Sequence, residues 1–268
     1  MADRCLYADG EKCITKNDFI DALKSVGVAN DDILFVHADI GVFGKLADGG
    51  DRATLCQSLI SALKSAGSST LVMPTFTYAF CKNGIFDPRH SPSEVGVLTE
   101  YFRLEDGIIR SKHPIFSVAA AGPEAEHLTS VDMDSFGDRS FFATLHQTNG
   151  LIVFFGASFE RATFAHHIEQ MHGVPYRFVK TFKGILRDNG IEKEVSSTYL
   201  VRYLDQDVET YLGRLESELR VSGVLKEASV GAGKILSVRA QDMFLIGMKM
   251  LDRDIYAFLK NPPKSYTA

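Results

Sequence analysis

The stretch DILFVHADIGVFGKLADGGDRATLCQSLISALKSAGSSTLVMP, residues 32–74, decides the fold. Its opening DILFVH (32–37) is a short apolar run of the kind a buried strand needs. STLVMP (69–74) is a second such run, closed by Pro74. Between them a glycine-rich loop leads to Asp51, and a helical pattern follows to about Ala66. Strand, helix and strand in one continuous stretch is a βαβ unit, which implies a parallel pair.

Upstream, Thr15 caps a helix with Asp18 three residues later, apolar Phe19, Leu23 and Val26, and Gly27 as its stop. Downstream, SEVGVLTEYFR (93–103) reads as a helix capped by Ser93, and FSVAAAG (116–122) and LIVFFG (151–156) read as strands. Another helix starts at Thr163. RFVKTFKGIL and KEVSSTYLVRYL, beyond about residue 176, read as antiparallel strands. A charged helix (206–221), a β segment near 224–238 and a helix from about Ala240 complete the chain. With no repeat or long linker, residues 1–268 are expected to form one mixed α/β domain.

The chain is 45% hydrophobic and 24% charged, with a net charge of −5. That composition belongs to a folded globular protein, and no basic cluster points to nucleic acid or an anionic membrane. MADRCLYADGEKCITK (1–16) is too polar for a secretory signal, and no run of 18 apolar residues could span a bilayer. Cysteines 5, 13, 56 and 81 form no CxxC pair; four scattered thiols fit a reducing cytosol. Cys81 lies in a loop near the expected site.

Three segments carry candidate chemistry. Gly41, Gly44, Gly49 and Gly50 lie between a strand and a helix, where backbone N–H groups can hold phosphate. Leu46 stands where a P-loop needs Ser or Thr, and GxGxxG is absent, so the phosphate signal is weak and turn geometry alone is the readier reading. Thr75 and Thr77 follow a buried strand, and ligand sites favour such ends, although a solvated strand end is the better reading of these two residues alone. RSKHPIFS (110–117) offers Arg110 and Lys112 for phosphate, and Ser111, His113 and Ser117 for a polar ligand; a charged surface loop is the plainer alternative.

ATFAHHIEQ (162–170) is the third. His166 and Glu169 are i,i+3 neighbours on one helix face, and a carboxylate beside imidazole makes a base near neutral pH. His167 points roughly 100° away. The HExxH spacing of a metal site is missing and no third ligand stands out. Proton transfer, metal binding and plain structural polarity all remain open on these residues alone.

Together these segments resemble the aminoglycoside 3-N-acetyltransferase family. The matching pieces run in family order: ILFVHADIGVFG, the Gly49–Gly50 pair, TLVMPTFT, PSEVGVLTEYFR, RSKHPIFSVAAAG and ATFAHHIEQ with VPYRF, over about residues 15–250. The resemblance implies a three-layer α/β/α fold with a central mixed sheet and an antiparallel β extension in the C-terminal third. It implies metal-free acetyl transfer from acetyl-CoA to an amine of an amino sugar, with a coenzyme-binding part over about 15–160 and an acceptor side over about 176–240. By motif position His37, Ala38, Asp39, Ile40, Gly41, Val42, Phe43, Gly44 and Lys45 hold the coenzyme, with Thr75, Ser111, His113 and Ser117 lining its cleft. His166 is the implied base, and Glu169 its partner or a ligand for the amine.

The chain departs from the family in places. HADI replaces His-Ser-Ser-Leu, which removes two hydroxyls and sets Asp39 where phosphate is expected. Its carboxylate should therefore turn to the loop's own backbone. QMHG, ahead of VPY, would reshape the acceptor pocket. Asp87, Glu94 and Glu100 are available to a polycation, but they form no dense patch, and Arg177, Lys180 and Lys183 suit an anionic acceptor better. A nucleotide-linked amino sugar of surface-polysaccharide synthesis is thus expected ahead of an aminoglycoside antibiotic. Two other classes remain: a metal-dependent sugar deacetylase using His166, Glu169 and His172, and a coenzyme-binding module without catalysis. A cytoplasmic enzyme is expected, with no nucleic-acid or membrane partner and with room for a homodimer.

Overall fold

The structure, a computed structural model, describes residues 4–263 apart from positions 11 and 31, and only the backbone of Asn83. The ends of the expected 1–268 domain lie outside the described residues. The chain opens with the hairpin β1 (Cys5–Asp9) and β2 (Lys12–Thr15), then α1 (Lys16–Ser25) and β3 (Asp32–Ala38). There follow β4 (Lys45–Leu46), α2 (Arg52–Ser65), β5 (Ser68–Pro74), α3 (Phe80–Asn83), β6 (Ile85–Phe86), α4 (Val97–Arg103), β7 (Ile109–Arg110) and β8 (Val118–Ala121). The second half runs α5 (Ala125–Thr129), α6 (Phe141–Gln147), β9 (Leu151–Phe155), α7 (Phe164–His172), β10 (Arg177–Asp188) and β11 (Ile191–Arg202). It ends with α8 (Gly213–Val221), β12 (Lys226–Val230), β13 (Gly233–Arg239) and α9 (Ala240–Arg253).

Seven strands form the central sheet in the order β12-β13-β9-β3-β5-β8-β7. The middle strand β3 is parallel to β5 and to β9, while β13 and β8 run antiparallel outside them. This is the mixed sheet and the βαβ unit the sequence implies. Successive side chains on a strand face opposite ways, and both faces here are apolar. Leu34 and Val36 pack with α1, α2 and α4, whereas Phe35, Ile152 and Phe154 pack with α6, α7 and α9. The result is three layers, α/β/α. The carboxyl ends of the three parallel strands, at Ala38, Pro74 and Phe155, open on the same edge.

The antiparallel extension is the twelve-residue-stranded hairpin β10–β11, which joins short β6 in a separate sheet. A third small sheet, β2-β1-β4, anchors the loop after β3.

Several local expectations need correction. The helix expected from Ser93 begins at Val97, because Gly96 at φ 149° cannot continue a helix. Ser93 instead bonds Glu100 and Thr99 from outside. The charged helix begins at Gly213 and not at 206, since Asp207 sits at φ 53°. The β segment near 224–238 is a hairpin at the edge of the main sheet. Cys5 and Cys13 are joined as a disulfide across the first hairpin, so two of the four cysteines are not free thiols. Cys56 is buried and Cys81 half-buried. No helix among the described residues is long and apolar enough to cross a membrane.

Candidate active site

Helix α7 leaves the carboxyl edge of β9 through Gly156 and a 3-10 turn at Phe159–Arg161. Phe164, Ala165 and Ile168 bury one side of it, and Gly173 in the left-handed region stops it. That packing turns His166 towards a cleft of about 570 Å³, which its ring lines. Its Nδ1 lies 2.6 Å from the Glu169 carboxylate, one helical turn on. A carboxylate accepts only, so Nδ1 carries the proton and the Nε2 lone pair is left for the cleft.

Glu169 is fully buried, yet it stays ionised. Burial works to raise its carboxyl, but the Arg177 guanidinium, His166 and the Tyr176 hydroxyl together bring it below the usual range. Tyr176 donates to Oε1 at 2.9 Å and Arg177 Nε stands 2.8 Å from Oε2. Arg177 is itself fastened by a 2.6 Å hydrogen bond to Thr210. Burial first, and then the Arg177 charge, lower the His166 pKa in spite of Glu169. The imidazole is therefore neutral at neutral pH, as a base must be.

The neighbouring histidines do other work. His167 turns into the core, where Nδ1 meets the Phe136 carbonyl at 2.7 Å, and burial lowers its pKa to about 4. His172 reaches Asp252 at 3.1 Å. His166, Glu169 and His172 thus do not converge, and no cluster of three or more metal-ligating side chains occurs among the described residues.

The loop after β3 is pinned from below and open above. Ile40 and Phe43 are buried, and Tyr7 donates to the Ile40 carbonyl at 2.7 Å. Gly44, at φ 150°, lies so close to the Ala8 carbonyl that a side chain would stand 2.9 Å from it. Ala38 is half-buried beside Gly156, while Asp39, Gly41, Val42 and Lys45 are exposed. The Asp39 carboxylate accepts from the Gly41 N–H at 3.2 Å, the inward turn its charge demands. His37 lies below the loop in the core, stacked on Phe154 at 5.5 Å, with burial lowering its pKa to about 3. Its Nε2 is buried and has no hydrogen-bond partner among the described residues.

Thr75, Ser111, His113 and Ser117 are all buried, and none lines the cleft that His166 opens on. Thr75 donates to the Ser117 carbonyl at 3.0 Å, and Ser111 accepts from Val118 N–H at 3.0 Å. His113 accepts from Phe116 N–H at 2.9 Å, with burial lowering its pKa to about 4. Thr75 and Ser117 thereby tie the end of β5 to the start of β8, while Ser111 and His113 hold the segment that joins β7 to β8. Arg110 and Lys112, read from sequence as phosphate ligands, are also committed: Arg110 to the Thr75 and Pro88 carbonyls, Lys112 to Asp188 at 2.6 Å.

Sequence reading missed Tyr176 as a Glu169 partner and read Arg177 as a cation for an anionic acceptor, whereas it is buried against Glu169. It also missed the aromatic cleft walls, Phe178 and Phe182 on β10 and Tyr199 on β11, with Tyr203 just beyond that strand. The signal was present in the alternation of F-x-K-x-F along β10, which puts Phe178, Lys180 and Phe182 on one face.

A mixed-sheet α/β protein with a carboxylate-backed neutral imidazole at an open cleft has a group able to take up a proton there. The signature of the aminoglycoside 3-N-acetyltransferase family matches residues 35–252, and the chain belongs to that family of acyltransferases. It is 25% identical to aminoglycoside N(3)-acetyltransferase VII of Streptomyces paromomycinus, over 95% of this chain and 97% of that one. To aminoglycoside N(3)-acetyltransferase III of a Salmonella species it is 23% identical, over 89% and 92%. The solved aminoglycoside acetyltransferase AAC(3)-IVa apoenzyme superposes with a TM-score of 0.75 at 29% identity, covering 92% of each chain. AAC-IIIb, solved as a binary complex with CoASH, has the same fold, with a TM-score of 0.75 at 23% identity over 93% of this chain and 99% of that one.

Proposed function

We propose that the protein transfers the acetyl group of acetyl-CoA directly to an amine of an amino sugar, with His166 as general base. The observation that carries this is the His166 Nδ1 to Glu169 contact, with the ring lining the cleft. Related proteins support the chemistry: their names are those of aminoglycoside N-acetyltransferases, and one solved neighbour binds coenzyme A. Another, a histidine-to-alanine mutant of AAC(3)-IVa at 27% identity, holds a gentamicin. A nucleotide-linked acceptor, the narrower expectation, finds no support among these names; an aminoglycoside does.

On this reading His166 Nε2 takes the proton of the amine as its nitrogen bonds to the acetyl carbon. The carbon–sulfur bond breaks, and the imidazolium can return that proton to the leaving thiolate. A sugar amine with a pKa of roughly 8–10 is mostly protonated at neutral pH, so its second proton must go to solvent before attack. Glu169 fixes the imidazole tautomer and balances its transient charge. The Thr75 hydroxyl is spent on Ser117, which leaves backbone N–H groups of the loop after β3 to steady the developing oxyanion. The exposed tip of that loop, Asp39 to Lys45, takes the coenzyme, within a coenzyme part spanning about residues 15–160. The hairpin side, about 176–240, takes the acceptor.

Thiol release from acetyl-CoA in the presence of amino-sugar acceptors tests the proposal. His166→Ala should lower kcat by at least about 100-fold, the usual worth of a general base. An unchanged rate in that variant would end it.

A further inference from the structure

The cleft in front of His166 carries an uneven set of charges. Its floor is neutral, because Arg177 is paired with Glu169 and His166 is uncharged. Lys180 and Arg202 stand on the walls, and among the described residues neither forms an ion pair with a carboxylate. Lys180 lies over the Phe182 ring, 5.1 Å from its centre, and Arg202 Nη1 donates to the Val208 carbonyl at 2.8 Å. Among the described residues, Asp205 is the one carboxylate lining the cleft.

The carboxylates that might have welcomed a polycation are engaged elsewhere. Glu94 accepts from the Thr77 hydroxyl at 2.8 Å and from the Tyr78 and Ala79 N–H groups. Glu100 is held by Arg103 and by Ser93 N–H, and Asp87 by His90 and by Arg89 N–H. Glu209 pairs with Lys260 at 3.2 Å. A ligand bearing several ammonium groups would meet two cations here against a single anion, and like charges repel.

Resting on the acetyl-transfer reading above, we propose that the acceptor is an amino sugar carrying an anionic substituent, phosphate or carboxylate, which Lys180 and Arg202 bind while its amine faces His166. An ammonium lysine and a planar guanidinium are complementary ligands for such a group, the second offering paired donors. The aromatic walls, Phe178, Phe182 and Tyr199, supply apolar faces between the two ends of the acceptor.

The test compares kcat/KM for glucosamine, glucosamine 6-phosphate, glucosaminic acid and gentamicin, with acetyl-CoA saturating and at low salt. At least one of the two anionic sugars should exceed glucosamine by about 10-fold or more, as expected for one charge-assisted contact. The advantage should shrink as salt is added and vanish in the Lys180→Gln/Arg202→Gln double variant. Lys180→Gln alone, at an exposed position, should lose part of it even where the double variant folds poorly. A higher kcat/KM for gentamicin, or an anionic preference retained in the variants, would overturn the inference. If no amine is acetylated, the transfer reading fails and calorimetry decides this one. Binding of an anionic sugar to the wild-type protein but not to the Lys180→Gln variant sustains the charge assignment, and no binding sinks it.

Discussion

Arg177 Nε lies 2.8 Å from the Glu169 carboxylate oxygen that also meets His166 Nδ1 at 2.6 Å. One buried anion is thus shared between a permanent cation and the proposed base. A carboxylate alone would raise the imidazole pKa, but burial and the guanidinium outweigh it. Replacing Arg177 by Met removes one of the lowering influences. The acid limb of the kcat/KM profile should then move to higher pH, and an unmoved limb would show that the guanidinium does not reach the base.

Removing Glu169 should be costly to the fold as well as to turnover. Glu169→Gln leaves the Arg177 guanidinium, itself buried, without its counter-charge. Breaking a buried pair from one side costs about 3–5 kcal/mol. Urea unfolding should show a loss of that size; a loss below about 1 kcal/mol, the worth of an exposed pair, would mean that the site is wetter than its burial indicates.

Acid should loosen the protein well above the range in which carboxylates titrate. Burial holds His37 near a pKa of about 3 and His113 and His167 near about 4. In the unfolded chain these rings take protons from about pH 6.5 downward. Stability is therefore full above that pH and falls as the pH drops towards the folded values. Each ring contributes at most about 1.4 kcal/mol per pH unit. The urea midpoint should fall between pH 7.5 and pH 5.5; a constant midpoint would mean that the three rings protonate in place.

Gly156 joins β9 to the helix that carries the base, at φ 75°, and a side chain there would collide with the Asp39 carbonyl. Gly156→Ala should cost about 1–3 kcal/mol through backbone strain, with further loss from the collision. Hydrogen exchange should also quicken over residues 39–45. Full protection there would mean that the loop does not lean on this glycine.

Much of the architecture was legible because the central strands are unbroken apolar runs and the helix caps are explicit. Thr15 does form a capping box with Asp18, and Asp51 does cap α2. Legibility failed where long-range partners decide the outcome. The cysteines at 5 and 13 become neighbours only because a tight hairpin folds them together. Thr75, Ser111 and Ser117 offered hydroxyls to a ligand, yet the backbone beside them uses these groups: Thr75 and Ser117 donate to each other's carbonyls, and Ser111 accepts from the Val118 N–H. His166 and Glu169 were visible as a pair because their contact is local, three residues apart on one helix. Tyr176 and Arg177 complete that pair from beyond the helix stop, where periodicity gives no warning.

The hairpin β10–β11 belongs to a sheet of its own and takes no place among the seven central strands. Exposed cleft residues such as Phe178 and Lys180 can therefore be exchanged with little effect on the layers that set the base and the loop after β3, whereas Arg177, paired with Glu169, and Tyr199, packed on Phe116 and Phe136, cannot. On the proposed reading, acceptor choice can change at the exposed part of this ribbon while the imidazole and its carboxylate stay as they are.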